Sequence, residues 1–238
     1  MFFYSHPREE QSLKTIMPQK LTRRKLVSLA RNFCEFQSKA PHPELFGVTD
    51  GKAVGTYVEH LFQALIFEKY EIGAGSSAKG IDLPGINADI KVTSIKQPQS
   101  SCPFKSAREK IYGLEYHLLL FVYDKKDDAL ARAAKLNFVC CAFIEQQCTG
   151  DHQTTYGLLE ILRRKGNRDD VIAFLIERNL PADEITLNQL TDEILAKPPP
   201  QGYLTTSIVS CLPSIHERLM AMETSAPGFE RIFSGETR

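Results

Sequence analysis

The chain has 238 residues, with 29 basic and 29 acidic side chains, so its formal net charge at pH 7 is zero. This length is enough to bury a sizeable core in one domain or one and a half. The neutral balance excludes a uniformly basic surface, so any contact with nucleic acid must come from a local patch. No apolar run is long enough to cross a membrane, and the longest are Leu118–Tyr123 and Phe138–Ile144.

The six cysteines form no Cys-x-x-Cys pair and show no Cys/His spacing suited to zinc. Cysteines without such a pattern are typical of reduced thiols inside a cell. The sequence therefore predicts a cytoplasmic protein.

The chain begins with a predicted helical segment, residues 1–50. Apolar side chains recur at helical spacing within residues 12–38, and Thr22 is suited to cap the helix. Its other side is basic and is either a solvated face or a set of phosphate contacts. A second helix is predicted for residues 56–70. Its Glu59 is either an exposed acid paired with a base or a third carboxylate at a metal site.

Residues 80–94 predict a β-hairpin that turns at Pro84-Gly85. Alternation along its second strand places Asp89 and Lys91 on one face, and Asp82, just before the turn, would lie beside Asp89. Two neighbouring carboxylates repel each other and call for a cation between them. Mg²⁺ suits such a pair and leaves room for phosphate oxygens. The lysine would stabilise an attacking hydroxide or the charge on a phosphate, so the pattern indicates metal-assisted phosphodiester hydrolysis.

The acid-x-lysine tripeptide is not specific, because it occurs three times in this chain. Asp50-Gly51-Lys52 is typical of a loop, and Asp124-Lys125-Lys126 of a charge cluster at a strand end. Only Asp89-Ile90-Lys91 lies in an alternating strand behind an Asp-x-Pro-Gly turn. The alternative interpretation of that stretch is a solvated hairpin face.

A polar, proline-broken loop follows the hairpin. Its Gln97, Gln99 and Ser100 are candidate DNA contacts, because glutamine can pair with adenine and serine with bases or phosphates. The loop is equally typical of an ordinary turn before the next helix.

The remaining elements predict an α/β fold with a mixed central β-sheet flanked by helices. Residues 103–114 predict a helix, residues 116–124 and 136–145 two buried strands, and residues 127–134 a short helix between them. Three helices follow Gly150, then a strand-like stretch at 203–212 and a helix at 215–222. We expect a nuclease core at 51–150 between the N-terminal helical segment and a C-terminal region, 151–238. That region either contributes DNA recognition or a dimer surface, or simply covers the sheet.

The stretch from Asp82 to Asp89-Ile90-Lys91 resembles the motif of the PD-(D/E)xK phosphodiesterases, and among them the Type II restriction endonucleases. In that family the proline precedes the first acid, whereas here Pro84 follows it. Residues 56–62 are similar to the family's preceding helix, and residues 118–124 to its following strand. The resemblance implies a restriction-endonuclease-like core with added N- and C-terminal helices.

The resemblance also implies a function. Asp82, Asp89, Lys91 and Glu59 would be catalytic, and Asp82, Asp89 and Ile90 would hold Mg²⁺. The substrate would be double-stranded DNA cut at a specific sequence, by a homodimer because the two strands of a palindrome need two copies of one active site. A cognate DNA methyltransferase would be its partner in a restriction-modification system. The alternatives are a structure-specific repair or recombination nuclease and a non-catalytic DNA-binding protein.

Overall fold

A computed structural model describes residues 19–71, 80–96, 104–204 and 225–235. The fold is α/β with a mixed central sheet flanked by helices, as predicted. The strands are β1 Gln19–Lys20, β2 Pro41–His42, β3 Tyr70–Glu71, β4 Ala88–Ser94, β5 His117–Asp128, β6 Ala133–Ile144, β7 Ser225–Ala226 and β8 Phe229–Ser234. The helices are α1 Arg23–Gln37, α2 Gly51–Lys69, α3 Ala107–Tyr112, α4 His152–Arg163, α5 Arg168–Glu177 and α6 Glu184–Ala196.

The central sheet has the strand order β4-β5-β6-β8-β7, and β2 pairs with β6 beside this path. β4 runs parallel to β5, whereas the other neighbours are antiparallel, so the sheet is mixed. β1 and β3 form a separate two-stranded parallel ladder. Within the described residues β4 has a strand on one side only, which leaves its other edge open to the residues that precede it.

The two faces of the sheet pack against different cores, because successive side chains of a strand point to opposite faces. On one face α1 and α2 cover alternate residues of β4, β5 and β6. Phe33, Phe62, Phe121 and Phe138 meet there edge to face, with ring centroids 5.0 to 5.9 Å apart. On the other face, the intervening residues of β5 and β6 pack with Phe229 in a second core. Helices α3 to α6 share a third core. The aromatic cluster packs α2 against the sheet that carries the candidate site.

The two N-terminal helices begin at capping residues. Thr22, predicted as a cap, accepts a hydrogen bond from the backbone N–H of Lys25 and starts α1. Asp50 accepts one from Lys52 and starts α2. The second helix therefore begins five residues before the predicted position 56.

The short helix predicted for residues 127–134 is wrong. β5 continues to Asp128, and β6 begins at Ala133, so the two strands form one long hairpin. The Asp128 carboxylate accepts hydrogen bonds from the backbone N–H groups of Leu130 and Ala131, which closes the turn. Arg132 adopts the left-handed conformation at the end of that turn. Cross-strand pairing thus overrides the local helical pattern.

The predicted hairpin at 80–94 is only partly formed. Its second strand is β4, but its first strand is reduced to a single bridge between Leu83 and Ala88 around a 3-10 turn at Pro84–Ile86. In the C-terminal region β8 pairs with β6 and was not predicted. The predicted strand at 203–212 and helix at 215–222 lie largely or wholly outside the described residues.

Among the described residues, no helix combines the length and apolar character needed to cross a membrane.

Candidate active site

The candidate site is built on the open edge of β4. The sequence alternates so that Ala88, Ile90 and Val92 join the core under α1 and α2. The side chains of Asp89 and Lys91 point to the opposite face. β4 is held in this register by β5, whose Leu118 lies beside Asp89 and whose Leu120 lies beside Lys91.

Asp82 lies at this edge, directly before the bridge that pairs Leu83 with Ala88. Its Oδ2 accepts a hydrogen bond of 2.8 Å from the backbone N–H of Ile90. Its Oδ1 accepts one of 3.1 Å from Nε2 of Gln63 in α2. A strand and a helix thus hold the two oxygens of one carboxylate.

Asp89 and Lys91 form an ion pair on the face of β4. The Nζ of Lys91 lies 2.8 Å from Oδ2 of Asp89. The Asp89 side chain is 8% exposed, whereas the Lys91 side chain is 48% exposed. The carboxylate is therefore desolvated, and the ammonium remains accessible to a ligand from solvent.

The two carboxyl groups of Asp82 and Asp89 interact, and the effect is visible in the pKa of Asp82. The pKa of Asp82 is raised to about 7, with burial as the largest cause, and the hydrogen bond from Ile90 acts against the rise. A hydrogen-bonding contact with Asp89 and the charges of Asp89 and Glu59 contribute to the raised pKa. This is the behaviour of two acids that share a site and need a cation to be ionised together.

Lys91 remains a cation at neutral pH. Burial acts to lower the pKa of Lys91, but its hydrogen bond to Asp89 and the charges of Asp89, Tyr116 and Asp82 outweigh burial, so the pKa is raised above its ordinary value. A lysine held in this state stabilises negative charge and does not remove protons.

Glu59 contributes a negative charge near the site, but it does not join Asp82 and Asp89 as a third carboxylate ligand. It is half-buried on α2 and acts electrostatically on Asp82. In the part of the chain that the structure describes, no three His, Cys, Asp or Glu side chains come close enough together to hold a metal ion. Any ion at this edge would therefore have two carboxylates, with its remaining ligands drawn from the main chain, water or substrate.

The main chain supplies a further oxygen at the same edge. In a β-strand the N–H and C=O of one residue point to the same side. Because the N–H of Ile90 points to Asp82 and not to β5, the carbonyl of Ile90 points to the open edge as well. Carboxylate and carbonyl oxygens are donors that suit a hard divalent ion. The oxygens of Asp82, Asp89 and Ile90 thus form a set of donors that suits the Mg²⁺ ion expected from the sequence.

The other two acid-x-lysine tripeptides have structural roles. Asp50 caps α2. Asp124 is buried and forms ion pairs with Lys96 at 2.7 Å and Lys126 at 3.6 Å. It lies inside β5, not at the strand end that the sequence predicted. Context therefore distinguishes Asp89-Ile90-Lys91 from the other two tripeptides.

The DNA contacts predicted at Gln97, Gln99 and Ser100 lie outside the described residues. The basic face of α1 has at least one structural ion pair, because Arg23 contacts Glu145 at 2.6 Å and Glu230 at 3.2 Å.

Two neighbours of the site were missed from the sequence. Gln63 follows Glu59 by one helical turn, so the spacing was available, but an amide carries no charge that draws attention to it. Tyr116 precedes β5 and interacts electrostatically with both Asp89 and Lys91. No pattern in the sequence links Tyr116 to the hairpin, because the parallel pairing of β4 with β5 brings them together.

Comparison with known proteins gives the class of this one. A family model described as Type II restriction enzyme NspV matches residues 20–228. The Type II restriction enzyme NspV of Nostoc sp. (strain ATCC 29411 / PCC 7524) is 54% identical over 187 residues, which cover 79% of this chain and 85% of that protein. No solved structure matches the chain.

The chain belongs to the NspV family of Type II restriction enzymes. The resemblance to Type II restriction endonucleases is thus confirmed. The match includes both Asp82 and the strand that carries Asp89 and Lys91.

Proposed function

We propose that this protein is a Mg²⁺-dependent endonuclease that cuts double-stranded DNA at a specific sequence. The observation that carries the proposal is the convergence of Asp82, Asp89 and Lys91 at the open edge of β4. The relative that is 54% identical is a Type II restriction enzyme, which supports the same activity for this chain.

In this proposal Asp82, Asp89 and the main-chain carbonyl of Ile90 hold the ion. When bound, Mg²⁺ neutralises phosphate charge and makes a bound water more acidic. Glu59 adds negative charge beside Asp82, which favours a cation at the site. Without a cation, the two carboxylates would repel the scissile phosphate, so the proposal requires the ion at this edge.

Lys91 supplies the positive charge on the other side of the reacting phosphate. Its ammonium is anchored to Asp89 and is half exposed, so it can contact a substrate oxygen without leaving its partner. A preorganised cation of this kind stabilises the charge that grows on the phosphate or on the attacking oxygen in the transition state.

The test is cleavage of plasmid DNA in Mg²⁺ by the parent protein and by Asp89→Ala. We expect the parent to give discrete fragments and the variant to give none, with the variant folded as judged by its thermal transition. Asp128→Asn, in the β5–β6 turn far along the hairpin, serves as a control that cuts like the parent. Cutting by Asp89→Ala at the parental rate would overturn the assignment, and cutting limited to branched DNA would favour a repair nuclease.

The proposal extends to partners. We propose a homodimer, a cytoplasmic location and a cognate DNA methyltransferase as the system partner, because cutting both strands of a palindrome requires paired active sites and the host's own DNA needs protection. Sedimentation equilibrium tests the first point: the mass should be twice the chain mass of 26.8 kDa, and a single-chain mass on DNA would contradict it.

A further inference from the structure

Asp82 lies outside regular secondary structure, so its own segment does not fix its side chain. It stands between Ile81 and the bridge residue Leu83, ahead of the 3-10 turn. The terminal torsion of an aspartate is broad, and its carboxylate can rotate unless both oxygens are held. Outside contacts must therefore set the orientation of this carboxylate.

Two donors hold the carboxylate, and each comes from a different element. The backbone N–H of Ile90 fixes Oδ2 from β4 at 2.8 Å. Nε2 of Gln63 fixes Oδ1 from α2 at 3.1 Å. One contact alone would leave the carboxylate free to swing about the held oxygen. The two together define its plane.

The helix that carries Gln63 is itself firmly placed. Phe62, the preceding residue, is fully buried and packs against Phe33 and Phe121 with ring centroids 5.0 Å away in each case. Gln63 is half-buried at the border of this core. Its amide is thus presented to Asp82 from a rigid support.

We propose that Gln63 is a positioning residue, whose amide holds the Asp82 carboxylate in the orientation that presents it, together with Asp89, to a divalent ion. This inference rests on the proposed function. On the same helix the sequence offered Glu59 as a third carboxylate at the metal site, and in the structure Glu59 acts on Asp82 through its charge.

The polarity of the amide suits this role. The N–H₂ end of glutamine donates to an ionised carboxylate, and its C=O end points elsewhere. Each carboxylate oxygen has two lone pairs, so a donor on each oxygen leaves capacity for an ion. Groups that orient a ligating carboxylate typically contribute about 10- to 100-fold to metal affinity.

The test is a titration of the DNA-free protein with Mn²⁺, in which electron paramagnetic resonance measures the concentration of unbound ion. The variants are Gln63→Met, which keeps length and helix propensity but removes the donor, and Gln63→Leu as a second variant. Gln147→Met is the matched control, because Gln147 also donates to a carboxylate, Oε2 of Glu145, at 2.5 Å. Asp82→Ala removes a proposed metal ligand and shows how weakly the protein binds Mn²⁺ when the site is lost.

We expect both Gln63 variants to bind Mn²⁺ about 10- to 100-fold more weakly than the parent. Gln147→Met should bind like the parent, and the thermal transitions of the Gln63 variants should stay close to that of Gln147→Met. If Asp82→Ala abolishes binding while both Gln63 variants bind within twofold of the parent, the positioning role is wrong and the metal site stands. If the parent binds no Mn²⁺, or Asp82→Ala binds it equally well, the proposed function fails and the positioning role fails with it.

Discussion

The backbone N–H of Ile90 donates a 2.8 Å hydrogen bond to Oδ2 of Asp82. This contact joins a residue of an irregular segment to the edge of β4, eight positions further along the chain. It brings the Asp82 carboxyl to the Asp89 carboxyl, and burial together with the neighbouring Asp89 raises the pKa of Asp82 to about 7. The first two predictions follow from that raised pKa.

The stability of the metal-free protein should depend on the ionisation of Asp82. The folded-state pKa, about 7, lies above the unfolded value of about 4. The folded state thus binds more protons between these values, and the contribution of Asp82 to stability falls as pH rises from 5 to 8. Asp82→Asn cannot ionise, so it should gain stability relative to the parent over this range. Thermal unfolding in EDTA at pH 5 and pH 8 measures the difference.

Asp128→Asn is the control for this experiment. Hydrogen bonds from Ala131 and Leu130 and the charge of Lys135 lower the pKa of Asp128 despite an opposing burial effect. Asp128 is therefore ionised in both the folded and the unfolded state above pH 5. The difference in thermal stability between Asp128→Asn and the parent should not change between pH 5 and pH 8. If the stability difference between Asp82→Asn and the parent is also the same at pH 5 and pH 8, Asp82 has an ordinary pKa.

Binding of a divalent ion should release a proton in mildly acidic solution. With a pKa of about 7, Asp82 is mostly protonated at pH 6, and a cation that takes both carboxylates must displace that proton. Calorimetry of Mn²⁺ binding in buffers of different ionisation enthalpy should give about one proton released at pH 6 and almost none at pH 8.5. Release that is the same at both pH values would contradict a shared site.

Removal of the Lys91 charge should affect turnover more than DNA binding. Lys91→Gln keeps a polar side chain but loses the cation that is paired with Asp89. We expect the rate at saturating DNA to fall about 10²- to 10³-fold, the range for loss of one preorganised electrostatic group. The KM should change little, because Lys91 would act on charge that develops in the transition state. A large rise in KM at an unchanged maximal rate would make Lys91 a binding residue.

Phe121 should be essential for stability. It is fully buried at the centre of the aromatic cluster and contacts Phe33, Phe62 and Phe138. Phe121→Ala should cost about 3–5 kcal/mol of unfolding free energy, as other large-to-small core changes do. Phe67→Ala, at a position on α2 that is 60% exposed, should stay within about 0.5 kcal/mol of the parent. Equal losses in the two variants would contradict the described core.

The sequence predicted those parts of the molecule that local periodicity governs. Alternation around Ile90 indicated a strand with Asp89 and Lys91 on one face, and the side chain of Thr22 indicated the start of α1. Both features follow from the rules of a single element.

What the sequence could not predict depends on contacts between distant residues. Asp128 closes a tight turn only because β5 and β6 pair along their full length, so the local helical pattern at residues 127–134 was misleading. Tyr116 reaches the site through the pairing of β5, which no spacing along the chain reveals. Gln63 lies one helical turn after Glu59, but only the packing of α2 shows that its uncharged amide contacts Asp82. The pairing of β8 with β6 is likewise a contact between parts of the chain far apart in sequence.

We propose that one divalent ion binds between Asp82 and Asp89 at the edge of β4. A crystal soaked in Mn²⁺ and measured at the manganese absorption edge tests it directly. We predict an anomalous peak about 2.0–2.2 Å from a carboxylate oxygen of each aspartate and from the carbonyl oxygen of Ile90. A peak that contacts only one of the two aspartates, or a fully occupied ion elsewhere with none at this edge, would contradict the account.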